Sequence, residues 1–182
     1  KLSFFRANKK YFKQRAFFLD RDGVINKLIK NDYIKNNKEL IFLPGVGKGI
    51  NYLNTIDFCV IIISNQACVG KGIISEKKLN NIHKYMKNTL KNNFDATIND
   101  IFYSPYYRFS KNLKYRLNKN DRKPNVGLFN KAIKKWNIDI NKSFFIGDSL
   151  TDKVASKKIR LKFYYKEKGS LYTQIKKYEK NY

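Results

Sequence analysis

The feature that most constrains this chain is a set of short apolar runs, each ending on a residue with chemistry to offer. Residues 15–19 run into Asp20, residues 58–63 into Ser64, and residues 143–146 into Gly147 and Asp148. Amphipathic stretches separate them. Short apolar runs alternating with helical patterns signal an α/β fold with a mainly parallel sheet. The run Phe58 to Ile63 is apolar throughout, as a central strand buried on both faces must be. In open sheets of this kind ligands bind beyond the carboxyl ends of the strands. Asp20, Asp22, Ser64 and Asp148 are therefore expected along one edge.

The remaining pattern fills in the layers. Pro44 and Gly45 open a helix to about Asn54, with Val46, Ile50 and Leu53 on its inner face. Ser75 starts another helix, buried through Leu79, Ile82, Met86 and Leu90. Ser75 suits an N-cap, although the glutamate of a full capping box is missing. Residues 96–103 read as a third strand and residues 104–120 as a long loop. A helix follows over 125–136, with Leu128, Ile133 and Trp136 inward. Residues 151–159 then read as a helix, 161–165 as a strand and 171–178 as a last helix.

The chain has 182 residues, 42% of them apolar, which suits one domain with a buried core. Residues 1–14 read as a basic lead-in, and residues 15–182 as the single domain. No apolar run reaches the roughly 18 residues that span a bilayer. The basic N-terminus carries no apolar signal region. Lys1 is not a methionine, which is consistent with more chain upstream. Two cysteines, Cys59 and Cys68, are too few for a disulfide framework and suit a reducing, cytoplasmic setting. The net charge of +25 admits a nucleic-acid or acidic-membrane partner. The lysines are spread along the chain, however, among abundant asparagine and isoleucine. Charge then bears on solubility and on attracting anions. A monomer with neither membrane insertion nor nucleic-acid binding is expected.

Asp20-Arg21-Asp22-Gly23 places two carboxylates on one side of an extended backbone. Together they suit magnesium, which takes a few carboxylates plus waters and phosphate oxygens. Gly23 permits a sharp turn. Asp148 could complete the metal site, and Asp152, one helical turn later, could join or orient it. Ser64 and Asn65 could donate to phosphate oxygens, and Lys123 could neutralise charge during phosphoryl transfer. An isolated Asp-x-Asp-Gly is an ordinary turn. Its combination with Ser64-Asn65-Gln66, Arg122-Lys123-Pro124 and Gly147-Asp148-Ser149-Leu150-Thr151-Asp152, in this order, is far more specific.

Those segments resemble the four motifs of the haloacid dehalogenase superfamily. The run Phe17 to Asn26 is similar to the first motif of the D-glycero-D-manno-heptose-1,7-bisphosphate phosphatases and histidinol phosphatases. Phe42 to Val46, Ser64 to Gly72, Arg122 to Pro124, and Gly147-Asp148 with Asp152 also match, so the resemblance runs from about Arg15 to Ile159. It implies a Rossmann-like three-layer sandwich without a large cap domain. It implies a nucleophile, Asp20, that forms an aspartyl-phosphate, and an acid–base partner, Asp22. Magnesium would be held by Asp20, Asp148 and the backbone carbonyl of Asp22. Ser64 and Lys123 would bind the phosphoryl group, and Asn65 and Arg122 the phosphate or substrate. Loops 25–43 and 104–121 would grip the substrate. The expected substrate is a heptose bisphosphate used in making surface-polysaccharide precursors. Histidinol phosphate or a polynucleotide 3′-phosphate is the alternative.

The chain departs from that family in the loop before the third motif. Many members carry structural zinc there, on Cys-x-His and Cys-x-Cys. Here the matching positions read Ser104-Pro105-Tyr106 and Lys119-Asn120-Asp121, so no zinc is expected. Packing of Tyr103, Tyr106, Tyr107 and Phe109 is expected to hold the loop instead. Lys71 replaces a common arginine and lacks its planar fork. His83 is expected to sit away from the motifs, packing at the surface or boundary.

Overall fold

Strand β1 (Ala16–Leu19) is four residues long and wholly buried. It lies at the centre of a five-stranded sheet with β2 (Cys59–Asn65), β3 (Asp100–Ser104), β4 (Phe144–Gly147) and β5 (Lys162–Tyr165). In this computed structural model, which describes residues 12–179, the strand order is β3-β2-β1-β4-β5. Every neighbouring pair is parallel. Phe17 faces Val60 on one side and Phe144 on the other, and Leu19 faces Ile62 and Ile146. That register brings the ends of β1, β2 and β4 to one edge.

The pleat divides the apolar side chains between two layers. Phe17, Leu19, Val60, Ile62, Phe144 and Ile146 face one side. They pack on helices α1 (Val46–Thr55), the short α2 (Ala67–Gly70) and α3 (Glu76–Phe94), with α7 (Leu171–Glu179) at the flank. Ala16, Phe18, Ile61, Ile63 and Phe145 face the other side, against α5 (Gly127–Trp136) and α6 (Leu150–Lys158). Phe17 stacks on Phe144 with centroids 5.2 Å apart, and Phe58 meets Phe17 edge-on at 5.9 Å. Burying each such ring contributes about 1.5–3 kcal/mol relative to exposure. The result is a three-layer α/β sandwich of Rossmann-like form. Between β1 and α1 the only regular element is one 3-10 turn, Asn37–Glu39, and no cap domain is built there.

Several elements differ from the sequence expectation. Residues 96–99 are not strand. Asn54 binds Thr97 through its side chain, accepting from its N–H at 2.7 Å and donating to its carbonyl at 3.1 Å. Asn99 likewise accepts from the Val60 N–H at 2.8 Å through its side chain. Side-chain amides thus occupy backbone groups that a ladder would use, and regular pairing begins at Asp100.

The stretch 104–120 is not a plain loop. It contains α4 (Lys114–Leu117) and runs into a 3-10 turn, Lys119–Asp121. The Tyr107 N–H donates to the Tyr115 carbonyl at 3.0 Å. Glu76, at the start of α3, receives Lys114 at 2.8 Å and the hydroxyls of Tyr103 and Tyr115, both at 3.2 Å. Asp121 is buried and pairs with Asn118 and Lys131. Phe109, expected to pack, is 67% exposed, because the polar and charged pairs already hold the segment.

At the N-terminus, residues 1–11 of the expected lead-in lie outside the described residues. Gln14 already belongs to the folded body. Its N–H donates to the Asn137 carbonyl and its carbonyl accepts from the Asp139 N–H, both at 2.8 Å. Among the described residues no helix is long and apolar enough to cross a membrane.

Candidate active site

Asp20 follows β1 directly, and its N–H still donates to the Ile146 carbonyl at 3.0 Å, so the ladder fixes where its side chain starts. The chain then turns back. The Gly23 N–H donates to the Asn26 carbonyl at 2.8 Å, and Gly23 takes φ +81. A Cβ at Gly23 would stand 1.9 Å from Asp148 Oδ2, so only glycine allows this turn to pass so close to the end of β4.

Asp20, Asp22, Ser64, Asn65, Lys123 and Asp148 line one cleft of about 240 Å³ at the sheet's carboxyl edge. Asp152, fully buried, sits in the first turn of α6. Ser149 and Asp152 form a reciprocal capping box. Ligand oxygens of Asp20, Asp148 and Asp152 all lie within 4.8 Å of one another. Lys123 reaches into this group. Its Nζ lies 3.1 Å from Asp20 and 2.6 Å from Asp152, and donates to the Ile63 carbonyl at 2.8 Å.

The electrostatics follow from crowding. Burial pushes the Asp20 carboxyl up to about 7; Lys123 opposes this, while Asp152, Asp22 and Asp148 reinforce it. Asp148 is exposed at the mouth, yet the protein behind it desolvates its carboxyl, and with Asp152 nearby it rises to about 6. Lys123 is held above the usual lysine range: its burial is outweighed by Asp20 and Asp152. One lysine does not neutralise three carboxylates. The donor set is all hard oxygen, clustered, and short of positive charge, which fits a magnesium ion.

The sequence left several partners without roles, and the structure gives them some. Burial alone would raise Asp22, but Arg21, Asn26 and Gln66 hold it lowered and charged. Arg21 donates through Nη2 to both carboxylate oxygens at 3.0 Å, Asn26 donates at 2.9 Å and Gln66 at 2.7 Å. Gln66 also donates to Ser64 Oγ at 2.9 Å. The Asn65 side chain is committed to the Lys123 backbone, donating to its carbonyl and accepting from its N–H, each at 3.0 Å. Arg122 does not line the cleft; its Nη1 donates to the Tyr106 carbonyl at 3.4 Å.

His83 corrects the sequence reading. It is 5% exposed and touches the first motif, its Nε2 accepting from Arg21 Nη1 at 3.2 Å. Burial first, and then the Arg21 charge, push its pKa down to about 3. The signal was present in the spacing: 79, 83, 86 and 90 fall on one helical stripe.

Residues 14–173 match the family described as polynucleotide kinase 3 phosphatase. A D-glycero-beta-D-manno-heptose-1,7-bisphosphate 7-phosphatase of Rhodopseudomonas palustris is 37% identical over 142 residues, 78% of this chain and 77% of that protein. A protein of the same name from Haemophilus ducreyi is 32% identical over 143 residues, 79% of this chain and 77% of that protein. The D,D-heptose 1,7-bisphosphate phosphatase from B. bronchiseptica, solved with magnesium and phosphate, shares the fold. It superposes with a TM-score of 0.80 over 93% of this chain and 100% of that one, at 22% identity. A match that takes in nearly every strand and helix leaves little of the fold outside the likeness: the chain is a haloacid dehalogenase superfamily phosphatase of the polynucleotide kinase 3 phosphatase family.

Proposed function

We propose that the chain hydrolyses a small phosphate monoester through an aspartyl-phosphate on Asp20, with magnesium as cofactor and a heptose bisphosphate as substrate. The observation that carries the reading is the convergence of the Asp20, Asp148 and Asp152 oxygens within 4.8 Å, with Lys123 Nζ 3.1 Å from Asp20. The substrate assignment is supported by the curated relatives, which are named for heptose-1,7-bisphosphate.

Asp22, charged in the free protein, takes up a proton as the negative charge of the substrate enters the cleft beside it. Asp20 then attacks phosphorus as the bond to the ester oxygen breaks, and Asp22 delivers that proton to the oxygen. Asp22, now ionised, takes a proton from the water that attacks the aspartyl-phosphate, releasing phosphate and restoring Asp20. Lys123 holds its charge beside Asp20, where negative charge gathers in the transition state. The Ser64 hydroxyl, whose oxygen accepts from Gln66, is placed to donate to a phosphoryl oxygen. Asn65 contributes by fixing the Lys123 backbone. Asp20, Asp148 and the backbone carbonyl of Asp22 would hold the magnesium ion, with Asp152 orienting the group. The ion supplies charge neutralisation for the attacking carboxylate and the phosphoryl oxygens. Arg122, engaged at Tyr106, must turn to meet substrate.

No zinc enters this reading. Ser104 Oγ accepts from the Tyr106 N–H at 3.3 Å, and Asp121 is engaged by Asn118 and Lys131. The two buried cysteines fit a reducing, cytoplasmic setting. The test is Asp20→Asn, which is expected to melt within a few degrees of the parent and to lose turnover by several orders of magnitude. Parent-like activity on heptose bisphosphate in that variant would end the reading.

A further inference from the structure

We propose that His83 is a positioning residue for proton transfer: an uncharged acceptor that fixes the Arg21 guanidinium, and through it the orientation of the Asp22 carboxylate. The inference rests on the assignment of Asp22 as the proton-transfer group given above.

Arg21 is 0% exposed and is the largest fully buried side chain among the described residues. A guanidinium has five N–H donors and no acceptor, so each buried N–H needs a partner. Two of its nitrogens serve Asp22: Nε donates to Oδ1 at 3.2 Å, and Nη2 to both oxygens at 3.0 Å. Nη1 points the other way and donates to His83 Nε2 at 3.2 Å. The fork is therefore gripped at opposite ends, by the carboxylate it orients and by the ring on α3.

The chemistry of the anchor matters. A carboxylate at position 83 would compete with Asp22 for the guanidinium. A lysine or arginine would repel it. An apolar side chain would leave a buried N–H unsatisfied, and the guanidinium would shift to find another partner. A neutral imidazole accepts through Nε2 and adds no charge, its proton residing on Nδ1. The ring cannot drift, because it packs edge-on against Tyr103, with centroids 5.3 Å apart. Asp22 in turn retains 22% side-chain exposure and lines the catalytic cleft. Asn26 and Gln66 also hold that carboxylate, and the Arg21 share of its aim depends on a residue that does not line the cleft.

Two substrates separate positioning of the proton donor from general support of the fold. An alkyl phosphate, such as a sugar phosphate, has a poor leaving group that needs a proton as its bond to phosphorus breaks. p-Nitrophenyl phosphate has a good leaving group that needs little help. His83→Leu is expected to lower kcat/KM on the alkyl ester on the order of tenfold to a hundredfold more than on the aryl ester. His83→Gln, which offers a neutral amide oxygen, should recover most of the lost activity on the alkyl ester. If His83→Leu does not fold, His83→Met carries the same comparison, since it fills the space without a strong acceptor.

Asp22→Asn is the control. If it shows no alkyl-selective loss, the assignment of Asp22 fails and the role of His83 falls with it. If Asp22→Asn is selective while the apolar His83 variants lose both activities equally, or neither, then His83 only supports packing and the proposal is overturned.

Discussion

In the proposed mechanism Asp20 must be ionised to attack phosphorus, yet the fold raises its pKa to about 7 and that of Asp148 to about 6, from 3.8 in each case. Below the unfolded value, native and unfolded chains both hold these protons, and the stabilising contribution is fully present. As pH rises through the native values, the unfolded chain has released the protons first, and stability is lost. Asp22 runs the other way. Its pKa is lowered, so its contribution is present above 3.8 and lost as pH falls through its native value. His83, pushed down to about 3 from 6.5, contributes in the opposite sense between pH about 5 and about 6.5. In the metal-free protein the parent should therefore lose melting temperature relative to Asp20→Asn as pH rises from about 5 to about 7.5. Thermal melts in chelator measure it; parallel slopes for parent and variant would contradict the crowding. Gly23 provides a steric test. Gly23→Ala should cost at least about 1 kcal/mol for its left-handed backbone. It should also push Asp148 aside, since the added carbon would meet Oδ2 at 1.9 Å. Urea melts and turnover on a phosphate ester report the two losses.

Helix α6 shows how an element delivers a side chain. Its first turn is closed by Ser149, whose hydroxyl donates to Asp152 Oδ2 at 2.7 Å, while Asp152 Oδ1 stands 2.6 Å from Lys123 Nζ. Removing the cap with Ser149→Ala should cost about 1 kcal/mol of stability by denaturant melts. It should also lower turnover, because Asp152 would lose one of the contacts that hold it beneath Asp20. A variant with normal stability and normal rate would show that the cap does not position the site. Elements of this kind were legible in the sequence where one periodicity dominates. Strand β2 is apolar from Cys59 to Ile63 and α3 carries a clean stripe after its Ser75 cap, so β2 and the start of α3 stood close to their true limits. The alignment of Asp20, Ser64 and Asp148 followed from strand polarity alone. Other features depend on partners distant in the chain. The start of β3 is set by Asn54 reaching Thr97, and the order in residues 104–121 is set by Glu76 gathering Lys114, Tyr103 and Tyr115. No local pattern announces such pairings. The contact of His83 with Arg21 was hidden for the same reason, although its place on the stripe of α3 pointed inward.

At the scale of the whole molecule the net charge of +25 sets what gathers around the protein before any chemistry occurs. The family shares its name with polynucleotide 3′-phosphatases, while the curated relatives are named for a sugar bisphosphate. A positive surface attracts both substrates, so binding alone does not distinguish them. The response to salt does. A small bisphosphate meets the field of the protein over a distance that salt shortens to about 10 Å at 0.1 M. Its kcat/KM should fall modestly as salt rises, with kcat unchanged. An oligonucleotide held at several phosphates releases several counterions, and its binding should fall steeply, by about a thousandfold or more between about 50 and about 200 mM salt. The cleft measures about 240 Å³, and among the described residues that line it Lys123 is the one cation, whereas a channel that tracks a nucleic-acid backbone carries several. Turnover of the bisphosphate should accordingly persist at about 200 mM salt, where a 3′-phosphorylated oligonucleotide is neither bound nor hydrolysed. Steady-state rates on the two substrates across a salt series decide the matter: faster hydrolysis of the oligonucleotide at the higher salt would reassign the natural substrate to nucleic acid.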